Sequence, residues 1–349
     1  MSPSLPLVSV VLPVYNAGPY LGEAIESILN QTLRELELLV VDDCSTDDSL
    51  AVARRYEAAD ARVRVLASPE NLGRSFVDNW GQDQARAPYI AKMDADDIAL
   101  PHRLQTQYDF LESHPEVALT SSWLQTFGTS STVFAYPAGA EEIRSFMLFN
   151  MPVGNPTAFF RRSLITEKNL RYDEEIKETF GEDYEWVARV VQVARIENQP
   201  QILLNYRTFP PSIKADFHAK RTAKSNQIRE RVLRQAGFTF SPRQLHVHNT
   251  IAHYPFTLGD ITLSEAHDWL LDVAAQNQQL GYTETAAMRR ILAERWFWTC
   301  YHNPANTTNN RRAYYRGALS RDYQPSQALQ ARFWAKNSVF WKVIKWLRG

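Results

Sequence analysis

The chain has 349 residues, 44% hydrophobic and 22% charged, which fits two domains or one large one with a proper core and excludes disordered, fibrous and low-complexity classes. Its two cysteines, Cys44 and Cys300, cannot form a disulfide framework, and the first thirty residues lack the pattern of a secretory leader, so a reducing, cytoplasmic setting is expected. The net charge of -1 is uneven: residues 311–349 hold nine Lys/Arg against Asp322 alone, a basic end on an acidic body that points to an anionic partner surface other than nucleic acid.

Short β-branched runs alternate with helical patterns through the first hundred residues. A strand over 7–12 precedes a helix over 19–31, where Tyr20, Leu21, Ala24, Ile25, Ile28 and Leu29 recur at three- and four-residue spacing. A strand over 36–41 follows, then a helix expected to start at Ser45 or Thr46 with Asp47 and Asp48 in its first turn. Strand, helix and strand continue over 62–67, 74–85 and 89–93. Near-continuous apolar strands separated by helices predict an α/β fold, a mostly parallel sheet covered on both faces. Further along, the pattern predicts a helix to His114, a strand over 117–121, an irregular stretch over 137–156, a helix over 183–193 and a strand over 201–206. The first domain is expected to span 1–215. Residues 216–349 read as a helical C-terminal region, with helices near 220–236, 263–279, 284–301 and 326–347. Thr262 and Glu265 have capping-box spacing. His246, His248 and His253 read as a strand face or surface cluster. No apolar run approaches the ~20 residues that cross a bilayer.

In parallel sheets, ligands sit outside the carboxyl ends of the strands. The polar residues at those ends are Pro13, Tyr15 and Asn16, then Asp42 and Asp43, then Asn71, and finally Asp94-Ala95-Asp96-Asp97. Three carboxylates in four residues are costly unless a cation joins them, and a hard divalent ion shared with a phosphate-bearing ligand is the natural occupant. An acidic helix cap is the alternative. Asp42-Asp43 can cap a helix or accept from a uracil imide or a ribose hydroxyl, and Tyr15 offers a ring to a base. Glu182-Asp183, after Gly181 at a helix start, suits either the helix's positive end or a general base.

In these residues the chain resembles the inverting family 2 glycosyltransferases of the GT-A fold. The resemblance runs from about Val8 to Ile213, through Val10-Val11-Leu12-Pro13-Val14-Tyr15-Asn16, Val40-Val41-Asp42-Asp43, Glu70-Asn71-Leu72-Gly73, Met93-Asp94-Ala95-Asp96-Asp97, Asn155-Pro156-Thr157 and Glu182-Asp183-Tyr184-Glu185-Trp186. It implies a Rossmann-like catalytic domain that takes a nucleotide-sugar, a UDP-sugar first. Pro13, Tyr15, Asn16, Asp43, Asn71 and Arg74 would line the donor pocket with Lys92, Asp94 and Ala95. Asp96 would bind Mn²⁺ or Mg²⁺, and Asp183 would be the base. Three positions depart from the family pattern: Cys44 where Gly is common, Asp78 where Arg is frequent, and Asn155 in place of His.

No Gly-x-Gly-x-x-Gly turn, P-loop or Gly-x-Ser-x-Gly elbow is present. A non-catalytic nucleotide-sugar-binding module on the same fold is the competing class, against which the intact Asp94, Asp96 and Asp183 argue. Without the Gln-x-x-Arg-Trp signature and spans of processive synthases, one sugar per encounter is expected. In the last helix, Phe333, Phe340, Val343, Ile344 and Leu347 can share a face bordered by Trp334, Trp341 and Trp346. That face suits either an anionic membrane surface, through residues 326–349, or packing on protein. A glycan or lipid-linked acceptor at the inner face of the cell membrane would follow from the first.

Overall fold

Strands β1 (Val8–Val14), β2 (Leu36–Asp42), β3 (Val63–Ala67) and β4 (Tyr89–Lys92) lie side by side in the order β3-β2-β1-β4, all parallel. Every residue of β1, β2 and β4 is buried, as expected of strands covered on both faces. The helices between them are α1 (Gly18–Leu29), α2 (Ser49–Ala59) and α3 (Arg74–Gln84). The computed structural model describes residues 5–175, 181–210, 215–253, 258–303 and 307–335.

Beyond β4 the sheet is mixed, where the sequence pattern predicted mostly parallel strands. β5 (Ile98–Ala99), β6 (Val117–Gly128), β7 (Val133–Phe134), β8 (Phe159–Arg161) and β9 (Arg195–Thr208) complete it in the order β4-β8-β6-β9-β5, with β7 on β6. β8 runs antiparallel to both β4 and β6, and β9 runs parallel to β6 but antiparallel to β5. Helices α4 (Arg103–Ser113), α5 (Ala140–Met147), α6 (Ser163–Thr166) and α7 (Glu182–Val193) fill the connections. β6 and β9 are far longer than their apolar cores indicated. Alternating half-buried polar residues such as Gln125 and Asn205, which pair across the two strands, hide the period from a hydrophobicity reading.

α2 begins at Ser49, not at Ser45 or Thr46. The preceding turn is held by side chains that compete with helix formation: Asp42 Oδ2 accepts from Ser45 N (3.2 Å), Asn16 Oδ1 accepts from Thr46 N (2.8 Å), and Asp47 Oδ1 accepts from Ser49 N (2.9 Å).

By internal contacts the chain divides into two units, Met1–Ile143 with Met151–Ser225, and Arg144–Asn150 with Asn226–Gly349. α8 (Ala215–Gln235) begins in the first unit and ends in the second, which is helical throughout its further described elements: α9 (Pro242–Ala252), α10 (Leu263–Leu280), α11 (Thr285–His302), α12 (Thr307–Arg316) and α13 (Gln327–Ala335). α10 carries the expected capping box between Thr262 and Glu265. α9 has no counterpart in the sequence reading and corrects the histidine assignment. His246 and His248 lie on this helix, and His248 is buried, with Nε2 2.8 Å from Leu148 O and Nδ1 accepting from Trp269 Nε1. Burial pushes its pKa down to about 3, so it is a neutral core residue. Phe333, on the face expected to meet either a membrane surface or protein, is buried against Phe297 at 5.5 Å between ring centroids. The rest of the expected terminal helix, residues 336–349, lies outside the described residues.

Candidate active site

At the end of β1 the chain turns at Asn16 (φ 51°), a left-handed conformation Asn tolerates better than most residues. The turn is knit to the loop after β2. Asn16 N donates to Ser45 Oγ (3.0 Å), Ala17 N to Ser49 Oγ (2.9 Å) and Gly18 N to Asp47 Oδ2 (3.0 Å), which satisfies donors at the start of α1. Tyr15, 53% exposed, projects from this edge. Cys44 holds the Gly-like conformation (φ 59°) that its position requires. The Asp43 carboxylate accepts from Leu72 N (2.8 Å) and Gly73 N (3.0 Å), while Asn71 Nδ2 donates to Asp43 O (3.2 Å). Asp43 therefore shapes the turn that leads into α3, where Gly73 has a φ of 90°.

Arg74 opens α3 and bridges two carboxylates. Its Nε donates to Asp78 Oδ2 (2.9 Å) and its Nη2 to Asp94 Oδ1 (2.5 Å). Burial disfavours the cation, but Asp94 and Asp78 more than offset it and raise its pKa well above the usual arginine value. Behind it, Asp78 Oδ2 also takes Lys92 Nζ at 2.8 Å, and Lys92 donates to Tyr172 Oη at 2.9 Å. Asp78, at the position where the family frequently has Arg, thus holds both neighbouring cations.

The loop after β4 carries Asp94, Ala95, Asp96 and Asp97. Asp97 Oδ1 accepts from Arg207 N (2.8 Å), and Asp96 O accepts from Arg207 Nε (2.8 Å). Burial, then the Asp94 charge, lifts Asp96 to about 6 and moves Asp97 upward as well.

These loops surround one cleft of about 570 Å³, lined by Pro13, Tyr15, Asn16, Asp43, Asn71, Arg74, Asp94, Ala95 and Asp96. Two residues expected at the site stand off its wall. Lys92 is sealed beneath Arg74 by Asp78, and Asp183 sits in the first turn of α7 after Gly181 (φ 82°). Asp183 accepts from Tyr184 N at 2.7 Å. Burial raises its pKa, a shift that the Tyr184 N–H and then the Lys92, Arg221 and Arg74 charges only partly offset. Glu182 beside it is lifted to about 7, by burial and then by Asp183. Asn155 opens a short 3-10 turn outside the cleft wall, its Oδ1 buried without a partner among the described residues.

Sequence reasoning missed Tyr20, Val77, Tyr206 and Phe209, which also line the cleft. Tyr20 and Phe209 pack at 5.4 Å between ring centroids. Tyr206 and Phe209 come from the end of β9 and the residue beyond it, far in sequence from the other walls.

Among the described residues, no three His, Cys, Asp or Glu side chains form a ready metal cage. Asp96 nonetheless fits a hard divalent ion that keeps water and takes phosphate oxygens. Its half-buried carboxylate is raised by desolvation and then by Asp94, and among the described residues no other residue donates a hydrogen bond to it.

Parallel strands whose carboxyl ends carry acidic and amide loops around one open cleft define an α/β fold with its ligand site at the strand ends. Residues 9–165 match the model described as Glycosyl transferase family 2. An uncharacterised glycosyltransferase of Methanocaldococcus jannaschii is 30% identical over 208 residues, 58% of this chain and 71% of that protein. Another, of Haemophilus influenzae, is 31% identical over 213 residues, 58% of this chain and 65% of its own length, just under two thirds. The chain belongs to glycosyltransferase family 2. Its fold is similar to that of S. aureus TarS 1–349 in complex with UDP-GlcNAc, with a TM-score of 0.56 at 17% identity over 90% of this chain and 91% of that one. Mannosyltransferase PcManGT from Pyrobaculum calidifontis, in complex with GDP-Man and Mn²⁺, gives a TM-score of 0.50 at 19% identity over 91% of this chain and 85% of that one.

Proposed function

We propose that the protein is a metal-dependent inverting glycosyltransferase that moves one sugar from a nucleotide-sugar, a UDP-sugar first, to a hydroxyl of a glycan or lipid-linked glycan. The observation that carries this reading is the shared cleft of Tyr15, Asp43, Arg74, Asp94 and Asp96. An exposed ring for a base, a fixed turn, a cation and a carboxylate pair suit the successive parts of a nucleoside diphosphate. The TarS complex with UDP-GlcNAc and the PcManGT complex with GDP-Man and Mn²⁺ support the donor class and the metal.

In this reading, Pro13, Tyr15, Asn16 and Asn71 hold the nucleoside, and Asp43 keeps the Leu72–Gly73 turn in shape. Arg74 faces the diphosphate, held by Asp94 and Asp78, with Lys92 acting from behind through Asp78. Asp96, with Asp94 and Ala95 beside it, holds Mg²⁺ or Mn²⁺, which when bound stabilises charge on the departing diphosphate. The acceptor oxygen bonds to the anomeric carbon as the sugar–phosphate bond breaks, so configuration inverts, and its proton passes to Asp183. A carboxylate with a raised pKa is a stronger base at neutral pH than an ordinary one. Contact with an anionic membrane at the cytoplasmic face would bring the enzyme to a lipid-linked acceptor. Among the described residues, no helix is long and apolar enough to cross a membrane.

The test is nucleoside diphosphate release from a set of nucleotide-sugars with Mn²⁺ present. Asp183→Asn is expected to lower turnover by about 10²- to 10⁴-fold while donor affinity stays unchanged. Normal turnover in that variant would overturn the base assignment. No binding of any nucleotide-sugar by the wild-type protein would overturn the reading as a whole.

A further inference from the structure

We propose that the exposed arginine and aromatic face of α12 and α13 is a docking surface for the anionic headgroups of a bilayer. α12 is anchored through Asn310 and Tyr314. Asn310 and Tyr314 are each 1% exposed. Asn310 exchanges hydrogen bonds with Asn303 at 3.0 and 2.8 Å, and the Tyr314 hydroxyl donates to Tyr323 O at 2.8 Å. Successive residues advance about 100° around a helix, so Arg311, Tyr315, Arg312 and Arg316 share a sector of about 140° turned away from that anchor. Arg312, Tyr315 and Arg316 are exposed. The Arg311 guanidinium lies 4.1 Å from the ring centroid of Trp334 on α13, which joins the two helices into one patch.

The patch has cations without counter-ions. Arg312 and Arg316, like Arg321 and Arg332 nearby, have no carboxylate partner among the described residues. The one acidic residue in this stretch, Asp322, is engaged by Arg289 at 2.7 Å. Like charges four residues apart on a helix, as at Arg312 and Arg316, are unfavourable in isolation, and an anionic surface relieves them. Lipid fits better than a soluble polyanion because Trp334 is 55% and Tyr315 48% exposed among these arginines. Amphipathic rings between cations suit the headgroup level, where ring and charge are both satisfied. The sequence beyond Ala335 adds Lys336, Lys342, Lys345 and Arg348 with no acidic residue.

The surface deepens the lipid-linked acceptor reading and rests on it for its purpose, since a bilayer is where such an acceptor resides. The test is co-sedimentation of the full chain with vesicles of phosphatidylglycerol in phosphatidylcholine, and of phosphatidylcholine alone. Wild-type protein is expected to prefer the anionic vesicles and to leave them as salt rises. Each arginine contributes roughly fivefold to partitioning, so Arg312→Ser/Arg316→Ser should lose about 25-fold with its melting temperature and its donor turnover in vesicle-free solution unchanged. Equal binding by that variant, no preference for phosphatidylglycerol, or binding to soluble polyphosphate without binding to vesicles would overturn the proposal. Vesicle binding without donor turnover would overturn the catalytic reading alone, and turnover without vesicle binding would overturn this surface alone.

Discussion

Lys92 Nζ and Asp78 Oδ2 stand 2.8 Å apart with side chains only 0% and 1% exposed, and Arg74 Nε completes the cluster from the cleft side. Removing one partner of a buried pair leaves a desolvated charge, at a cost of about 3–5 kcal/mol. Asp78→Asn is expected to lose stability on that scale in urea unfolding. Replacing both partners, as Asp78→Leu/Lys92→Met, should recover much of it. Burial alone would raise the Asp78 pKa, but Lys92 and Arg74 hold it below the ordinary value. Its contribution is therefore present above the unfolded-state value of about 4 and is lost as pH falls through the lower folded value. Asp78→Asn should accordingly flatten the acid limb of stability against pH.

Asp96 has the opposite sign. Its folded pKa, about 6 from burial and the Asp94 charge, lies above the unfolded value of about 4. The folded state therefore binds more protons across that window, and metal-free stability falls as pH rises from about 4 to 6. A divalent cation requires the ionised form, so the thermal shift given by Mn²⁺ should grow over the same range. Asp96→Asn is expected to remove both trends in a melting series. A Mn²⁺ shift that persists unchanged in the variant would place the ion elsewhere.

How much of this was legible in the sequence depends on distance along the chain. The tips of β1, β2 and β4 are near-continuous apolar runs that stop at polar clusters, so Tyr15, Asp43 and Asp94 could be picked out locally and their convergence followed from a parallel sheet. Arg207 could not, because it reaches Asp96 across 111 positions and only the antiparallel pairing of β9 with β5 brings it there. α9 was missed although its signal was present: Ser241 and Gln244 form a full capping box with Pro242 at the helix start. Lys92 is set back from the cleft for a reason no local pattern carries: its ammonium is paired with Asp78, a residue of α3, at 2.8 Å.

Gly81 shows how closely α3 must approach the sheet that carries the site. A Cβ there would lie 2.5 Å from Val11 Cγ1 and 3.0 Å from Val41 Cγ2. Ala improves helix propensity by about 1 kcal/mol, but overpacking costs about 1–3 kcal/mol. Gly81→Ala is expected to be net destabilising by about 1 kcal/mol on these figures, and Gly81→Val more so. Chemical denaturation measures the difference. A stabilised Gly81→Ala would mean that the valines relax freely.

Arg207 ties the acidic loop to the rest of the cleft through every part of its side chain. Nε donates to Asp96 O (2.8 Å), Nη2 donates to Glu23 Oε2 (2.6 Å), and the guanidinium lies 4.8 Å from the Tyr20 ring and 4.4 Å from the Phe127 ring. Arg207→Ala keeps the backbone N–H that holds Asp97 but frees the Asp96 carbonyl and unstacks Tyr20, a cleft residue. Hydrogen bonds from a charged donor are each worth about 1.5–3 kcal/mol, so half-saturation by Mn²⁺ in donor turnover should need about tenfold more metal or higher. Lysine restores charge but neither the planar fork nor the stacking. Arg207→Lys should therefore resemble Ala in its metal titration, whereas a wild-type titration for Lys would show that charge alone positions the loop.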